Sequence, residues 1–180
     1  MGRRSRARKG GVWRLADTPA ATDDSDRLLP SNALNPNDWS PSMPGTRITV
    51  ETNVRAPIAE VWRAYTTPAD ITQWNAASDD WHTTRAAVDL RVGGEFSSRM
   101  EAKDGSVGFD FAGIYTKVEP NKLLEYTFGD RVCVVTFAPM ANGTTVRVSF
   151  DAEEENSVDM QRGGWQAILE NFRKFVEGAR

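Results

Sequence analysis

The sequence has one cysteine, one histidine and no long apolar run. Because Cys133 has no partner, an intrachain disulfide is impossible, and the fold must depend on a hydrophobic core, for which 180 residues suffice. The lack of disulfides favours a reducing compartment. No stretch approaches the roughly 18 apolar residues of a membrane span, and no apolar run of a secretory signal follows the basic start. We therefore expect a cytoplasmic protein without a membrane span.

The sequence also lacks the residues that a histidine- or cysteine-based metal site or a catalytic triad needs. One His and one Cys cannot fill a zinc site, and the sequence contains neither Cys-x-x-Cys nor His-x-x-x-His. We predict no metal and no cofactor. His82 is interpreted as a surface-loop residue, with a general base at a pocket mouth as the alternative. Cys133 points inward by strand parity, where a thiol is generally inert.

Charge is low and unevenly distributed. The net charge is −3, with +2 in residues 1–42 and −5 in the remainder. An acidic folded part lacks the basic footprint of a nucleic-acid binder, so we expect no nucleic-acid partner. Residues 1–45 are rich in Pro, Ser and Asp without a sustained period, which predicts a disordered extension before a domain at 46–180. Met43 is an alternative start of the natural product.

The remaining sequence shows regular periodicities. Residues 47–54 alternate between apolar and polar, as a half-buried strand does. Two short helices follow, each with a proline, Pro57 and Pro68, at its first turn, and the second ends near Trp74. A loop is predicted over 75–83.

After that loop, apolar residues alternate in successive segments separated by turn residues. The predicted strands cover 88–92, 96–100, 107–115, 124–128, 133–137 and 146–150. An apolar stripe with helical spacing then runs from about Val158 to Glu177. These elements predict an α+β fold, in which a curved antiparallel sheet of about six or seven strands wraps around a long C-terminal helix.

The order of these elements resembles the START-like, or helix-grip (SRPBCC), superfamily, and within it the branch of the activator of the heat-shock-90 ATPase. The similarity lies in APIAEVWRAYTTPADITQWN at 56–75, DLRVGGEF at 89–96, GIYTKVEPNKLLEYTF at 113–128 and GGWQAILENFRKFVE at 163–177. It implies a cavity between sheet and C-terminal helix that takes apolar molecules. Some members are cyclases or hydratases, and others are chaperone cofactors.

Candidate ligand-binding residues are those whose side chains point toward the predicted helix, together with two tryptophans at the expected mouth. They are Trp74, Trp81, Phe96, Ser98, Met100, Phe109, Phe111, Tyr115, Tyr126, Phe128, Phe137, Trp165, Leu169 and Phe172. The alternative is that these side chains simply fill the core. Ser98, Tyr115 and Tyr126 are the polar groups among them that could orient a ligand by hydrogen bonds.

The leading hypothesis is therefore a monomeric or weakly dimeric binder of a small apolar molecule, lipid-like, polyketide-like or aromatic. A cyclase- or hydratase-type enzyme, with Tyr115 or Tyr126 as the acid, is the first alternative. A protein-binding module of the chaperone-cofactor kind is the second. Strand parity places no carboxylate on the inner face, which favours binding over catalysis.

Overall fold

Seven strands and three helices make up residues 45–178, the part of the chain that the computed structural model describes. The elements are β1 (Arg47–Val54), α1 (Ile58–Thr66), α2 (Pro68–Trp74), β2 (Trp81–Val88), β3 (Glu95–Ala102), β4 (Gly108–Glu119), β5 (Leu123–Phe128), β6 (Arg131–Met140), β7 (Gly143–Asp151) and α3 (Val158–Gly178). The predicted α+β helix-grip architecture is confirmed. The extension predicted at 1–45 and the alternative start at Met43 fall outside the described residues, except for Gly45. None of the described helices is long and apolar enough to cross a membrane.

The strands form one antiparallel sheet in the order β1-β7-β6-β5-β4-β3-β2. Strands β2 to β7 follow one another as a meander, and β1 pairs with β7 from Arg47↔Asp151 to Val54↔Thr144. Strands β1 and β2 therefore lie at opposite edges of the sheet. The pair α1–α2 carries the chain from one edge to the other, past the face that α3 also covers.

Helix α3 is fixed at its start to the connection that follows β7 and, further along, to the sheet. The buried Gln161 side chain accepts a hydrogen bond from the backbone N–H of Glu153 (2.9 Å) and donates to the carbonyl oxygens of Glu153 (3.0 Å) and Asn156 (2.8 Å). Further along, the hydroxyl of Thr52 in β1 donates to Glu170 at 2.8 Å. These bonds satisfy polar groups at the helix surface while its apolar stripe faces the core.

Two of the predicted boundaries are wrong, and both concern β2. The segment 75–83 is not all loop, because β2 begins at Trp81. The strand predicted over 88–92 does not exist, since β2 ends at Val88. Leu90 and Val92 lie in the following connection, 37% and 62% exposed.

The β2–β3 connection is a tight loop, defined by a backbone hydrogen bond across its base and by a close approach of the backbone at Gly94. The N–H of Asp89 donates to the carbonyl oxygen of Glu95 at 2.9 Å, which closes the hairpin. A Cβ at Gly94 would lie 2.0 Å from the carbonyl oxygen of Asp89, so only glycine fits there. The alternation of apolar residues at 88–92 is therefore accidental.

Candidate functional site

An apolar cavity of about 110 Å³ lies between the inner face of the sheet and α3. Strands β3, β4 and β5 supply most of the sheet side of its wall, and α2 and α3 close it. The residues predicted from the sequence that do line it are Trp74, Phe96, Ser98, Met100, Phe109, Phe111, Tyr115, Tyr126, Trp165 and Leu169.

Three of the candidates point inward but belong to the packing behind the wall. Phe128 packs 6.1 Å from Trp165 and beneath the guanidinium of Arg131. Phe137 and Phe172 each meet the ring of Tyr65 edge-on, at 5.4 and 5.2 Å. These side chains hold the wall in place and do not face the cavity.

The remaining candidate at the predicted mouth also lies outside the cavity. Trp81 is the first residue of β2, and its ring centroid is 5.8 Å from that of Phe109, which does line the cavity. His82 follows it in the strand, contrary to its prediction as a loop residue. Both line a separate, polar crevice nearer the surface.

Sequence reasoning missed several wall residues: Tyr65, Ile71, Asn75, Ala87, Val88, Leu124, Val148 and Ile168. In the sequence, Tyr65 follows Ile58 and Trp62 at helical spacing, and Ile168 lies within the apolar stripe of the C-terminal helix, so a signal for these two was present. Asn75 and Ala87 gave no signal, because Asn75 lies in a loop, as predicted, where no period marks an inward side chain, and Ala87 lies in the part of β2 that was not predicted.

The aromatic part of the wall is closely packed. Phe96 lies 4.8 Å from Tyr126 and 5.2 Å from Tyr115, measured between ring centroids. Its ring passes over Gly113 in β4, where a Cβ would come within 2.7 Å of the ring. On the opposite side Trp165 is stacked on Phe150 at 4.1 Å with an interplanar angle of 20°. The rings are thus held in place without a ligand, which is a form of preorganisation.

Three tyrosines and the single cysteine converge beside this wall. Burial raises the pKa of Tyr115 to about 12. Burial, and then the neighbouring Cys133, raise the pKa values of Tyr65 and Tyr126 well above the usual range. Burial also raises the pKa of the Cys133 thiol to about 12. All four groups are therefore neutral near pH 7 and offer hydrogen bonds without charge.

Several polar groups at the cavity have unused hydrogen-bonding capacity. Within residues 45–178, the side chains of Tyr65, Asn75, Ser98 and Tyr115 make no hydrogen bond to another described residue. No Asp, Glu, Lys, Arg or His of the same range lines the cavity. Nor do the described residues contain a group of three His, Cys, Asp or Glu side chains arranged to hold a metal ion. The cavity wall can therefore make apolar contacts with a ligand and a few hydrogen bonds from neutral groups.

This architecture has relatives. The family model described as "Activator of Hsp90 ATPase homolog 1-like protein" matches residues 55–177. The chain belongs to this family. The match extends from the turn after β1 almost to the end of α3 and so includes every wall residue of the cavity.

Solved structures agree with membership of the Activator of Hsp90 ATPase homolog 1-like family. The AHSA1-like protein from Aeromonas hydrophila is 46% identical over 74% of this chain and 94% of its own, with a TM-score of 0.71. A protein from Cytophaga hutchinsonii is 45% identical over 74% and 93%, with a TM-score of 0.65. One from Nitrosomonas europaea, 22% identical over 74% and 95% with a TM-score of 0.62, shares the fold. Among curated proteins, none matches the sequence.

Proposed function

We propose that the protein binds a small, neutral, mainly apolar molecule that carries a hydrogen-bond acceptor. The observation that carries this proposal is the cavity itself. Its aromatic wall includes the hydroxyls of Ser98, Tyr65 and Tyr115, which bond to no other described residue, and no charged side chain of the described residues. Neutral donors in an apolar site suit a carbonyl or ether oxygen, and burial penalises an ion there. The helix-grip fold of this family commonly binds hydrophobic ligands.

The cavity volume limits the ligand. Drug-sized ligands occupy pockets of about 300–1,000 Å³, whereas a dry apolar cavity of about 150 Å³ holds one benzene. A cavity of about 110 Å³ therefore encloses no more than one ring or a short chain. Burying about 200 Å² of apolar surface gives about 5 kcal/mol. One or two hydrogen bonds add about 1 kcal/mol each, and association entropy offsets several. The balance corresponds to a dissociation constant of about 1 mM.

A cyclase- or hydratase-type enzyme has less support from the same site. General acid catalysis favours a group whose pKa lies near the working pH. The pKa of Tyr115 is raised to about 12, and Tyr126 is shifted in the same direction, so both are poorer acids than free tyrosine. No carboxylate of the described residues reaches the cavity wall to take the role instead.

A protein-binding module also has less support. The large apolar side chains that are exposed within 45–178 are spread over several elements. Leu90, Val92 and Val107 lie in loops, Ile114 in the middle of β4, Met140 at the end of β6 and Met160 in the first turn of α3. A docking surface needs such residues to form a continuous patch. Binding inside the cavity therefore remains the proposal.

The test places a larger side chain on each face of β3 in turn, so that only one of the two variants fills part of the cavity. Ser98 points into the cavity and is 6% exposed, while its neighbour Ser97 faces the other side of the sheet. Acetophenone, one ring with one carbonyl, is titrated into isotope-labelled protein and followed by two-dimensional NMR. We expect saturable binding by the wild type and by Ser97→Leu, and binding weakened at least about tenfold in Ser98→Leu, because the leucine side chain occupies the ligand's space.

Folding of both variants is checked by their melting temperatures. If a folded Ser98→Leu variant bound acetophenone as well as the wild type, the site would lie elsewhere. If the wild type bound neither acetophenone nor any of a panel of one-ring ketones, ethers and phenols, the proposal would be wrong.

A further inference from the structure

A second, polar crevice of about 430 Å³ lies outside the apolar cavity. It is bounded by the end of α2, the 75–80 connection, the first residues of β2 and the last turns of α3. Its wall carries amide, hydroxyl and ammonium groups, in contrast to the aromatic wall of the cavity.

The cavity and the crevice share a partition. Trp74 and Asn75 line both of them. The indole N–H of Trp74 donates to the carbonyl oxygen of Ala64 at 3.1 Å, which fixes that ring. The backbone oxygen of Asn75 is held by the Thr83 hydroxyl at 2.6 Å, but its side-chain amide makes no hydrogen bond to another described residue. The Asn75 side chain therefore presents both a donor and an acceptor at the partition.

Hydrogen bonds hold the crevice open from two sides. The side-chain amide of Asn171 in α3 donates to the carbonyl oxygen of Ala76 at 2.6 Å. The backbone N–H of Lys103, just beyond β3, donates to the carbonyl oxygen of Asp80 at 2.8 Å. The 75–80 connection is thus tied to both the helix and the sheet, so the crevice is part of the folded architecture.

The crevice also carries two lysines without carboxylate partners. Of the Lys and Arg residues in 45–178, only Arg85, Lys103, Arg131 and Lys174 have no ion pair within 4.0 Å, and Lys103 and Lys174 both line the crevice. Within residues 45–178, Asp79 is the one carboxylate that lines the crevice. Among the side chains that line the crevice, the two lysines outnumber Asp79 and leave an excess of positive charge beside the apolar cavity, which suits an anion.

We infer that cavity and crevice form one site for an amphipathic acid, whose ring or short chain lies in the cavity and whose carboxylate lies between Lys103 and Lys174. This inference rests on the proposed function and adds a charged end to its neutral ligand, since the neutral part lies inside the cavity and the carboxylate stays in the water-filled crevice. The chain between them passes Asn75, whose amide can hydrogen-bond to it. The crevice supplies the space that a ligand longer than one ring needs beyond about 110 Å³.

The experiment compares 4-phenylbutyrate with its uncharged analogue 4-phenylbutanamide, each titrated into the full chain and followed by NMR at low salt. We expect the acid to bind about fivefold more tightly than the amide, a modest ratio because exposed ion pairs are weak, and the preference to fall as salt is added. In Lys103→Gln/Lys174→Gln the preference should disappear while the amide binds unchanged. Arg85→Gln, which removes an unpaired charge elsewhere, should keep the preference.

The outcomes separate this inference from the proposed function. Equal binding of acid and amide by the wild type, or a preference that survives the double lysine substitution, would overturn the inference and leave the apolar cavity as the site. Acid binding that is insensitive to Ser98→Leu would show an anion held in the crevice alone, which also overturns it. If neither compound bound, the proposed function would fail together with the inference.

Discussion

At the scale of single residues, the most unusual feature is a set of ionisable groups buried without charge. Cys133 is 0% exposed, and Tyr115 and Tyr126 are each 6% exposed. Burial disfavours the thiolate and the phenolates, because an anion loses its hydration there. The site therefore keeps the same charge over the whole physiological range.

This burial predicts a loss of stability at alkaline pH. In the unfolded chain the pKa of Cys133 is about 8.5 and those of the tyrosines about 10, whereas the folded protein raises the pKa of Cys133 to about 12. Above about pH 8.5 the unfolded state therefore releases a proton that the folded state retains, so the free energy of unfolding falls as pH rises. The stability from this group is complete below that pH. We expect the fall to reach about 1 kcal/mol per pH unit for Cys133, measured by urea denaturation at several pH values.

The control is Cys133→Ala, which removes the thiol and keeps the tyrosines. Its stability should stay nearly level up to about pH 9.5 and decline only as the tyrosines of the unfolded chain ionise. A wild-type stability that is flat or rising between about pH 8.5 and 10 would contradict the assignment of a raised pKa to Cys133.

Strand parity predicted the direction of individual side chains, but not which of them meet empty space. Phe96, Ser98 and Met100 point inward as expected and line the cavity, since the period of two holds along β3. Phe128 and Phe137 point inward too, yet neighbouring rings cover them. Whether an inward side chain packs or lines a void depends on residues distant in sequence, which no local pattern reveals.

At the scale of elements, β2 was the strand that the sequence periodicity did not predict. Its residues, WHTTRAAV, have no apolar alternation, and its pairing with β3 shifts register between Thr83 and Arg85. A bulge of this kind reverses the parity of the residues beyond it. Helix α3 was predictable for the opposite reason, because Leu169, Phe172 and Val176 recur on one face and are buried there.

Substitutions in helix α3 should distinguish residues that pack in the core from residues that line the cavity. Phe172 is 0% exposed and meets Trp74 edge-on at 4.9 Å, but it does not line the cavity. Phe172→Ala therefore opens a new void, and we expect it to lower the free energy of unfolding by about 3–5 kcal/mol in urea denaturation. Ile168→Ala, at a partly buried wall position, should cost less. A loss below about 1 kcal/mol for Phe172→Ala would mean that this part of α3 is not packed as described.

At the scale of the whole molecule, the topology explains where the cavity lies. Strands β1 and β2 stand at opposite edges of the sheet, and α1, α2 and α3 all cover the same face. Helix α3 packs most extensively against β1, while α2 covers β2, so the space between the two helices lies over β3 to β5. Turn signals and periodicities in the sequence predicted the sheet and the long helix. The size of the remaining gap could not be predicted, since it depends on how far the helices approach each other.

The central claim is that a ligand lies inside this gap, and intermolecular nuclear Overhauser effects test it most directly. With acetophenone bound to methyl-labelled protein, we expect contacts from the ring protons to the methyl groups of Met100, Ile71 and Ile168, which line the cavity. Met140, Met160 and Ile114, which are 40%, 46% and 46% exposed, serve as internal controls and should show none. Contacts to these exposed methyl groups, with none to Met100, Ile71 or Ile168, would contradict the account.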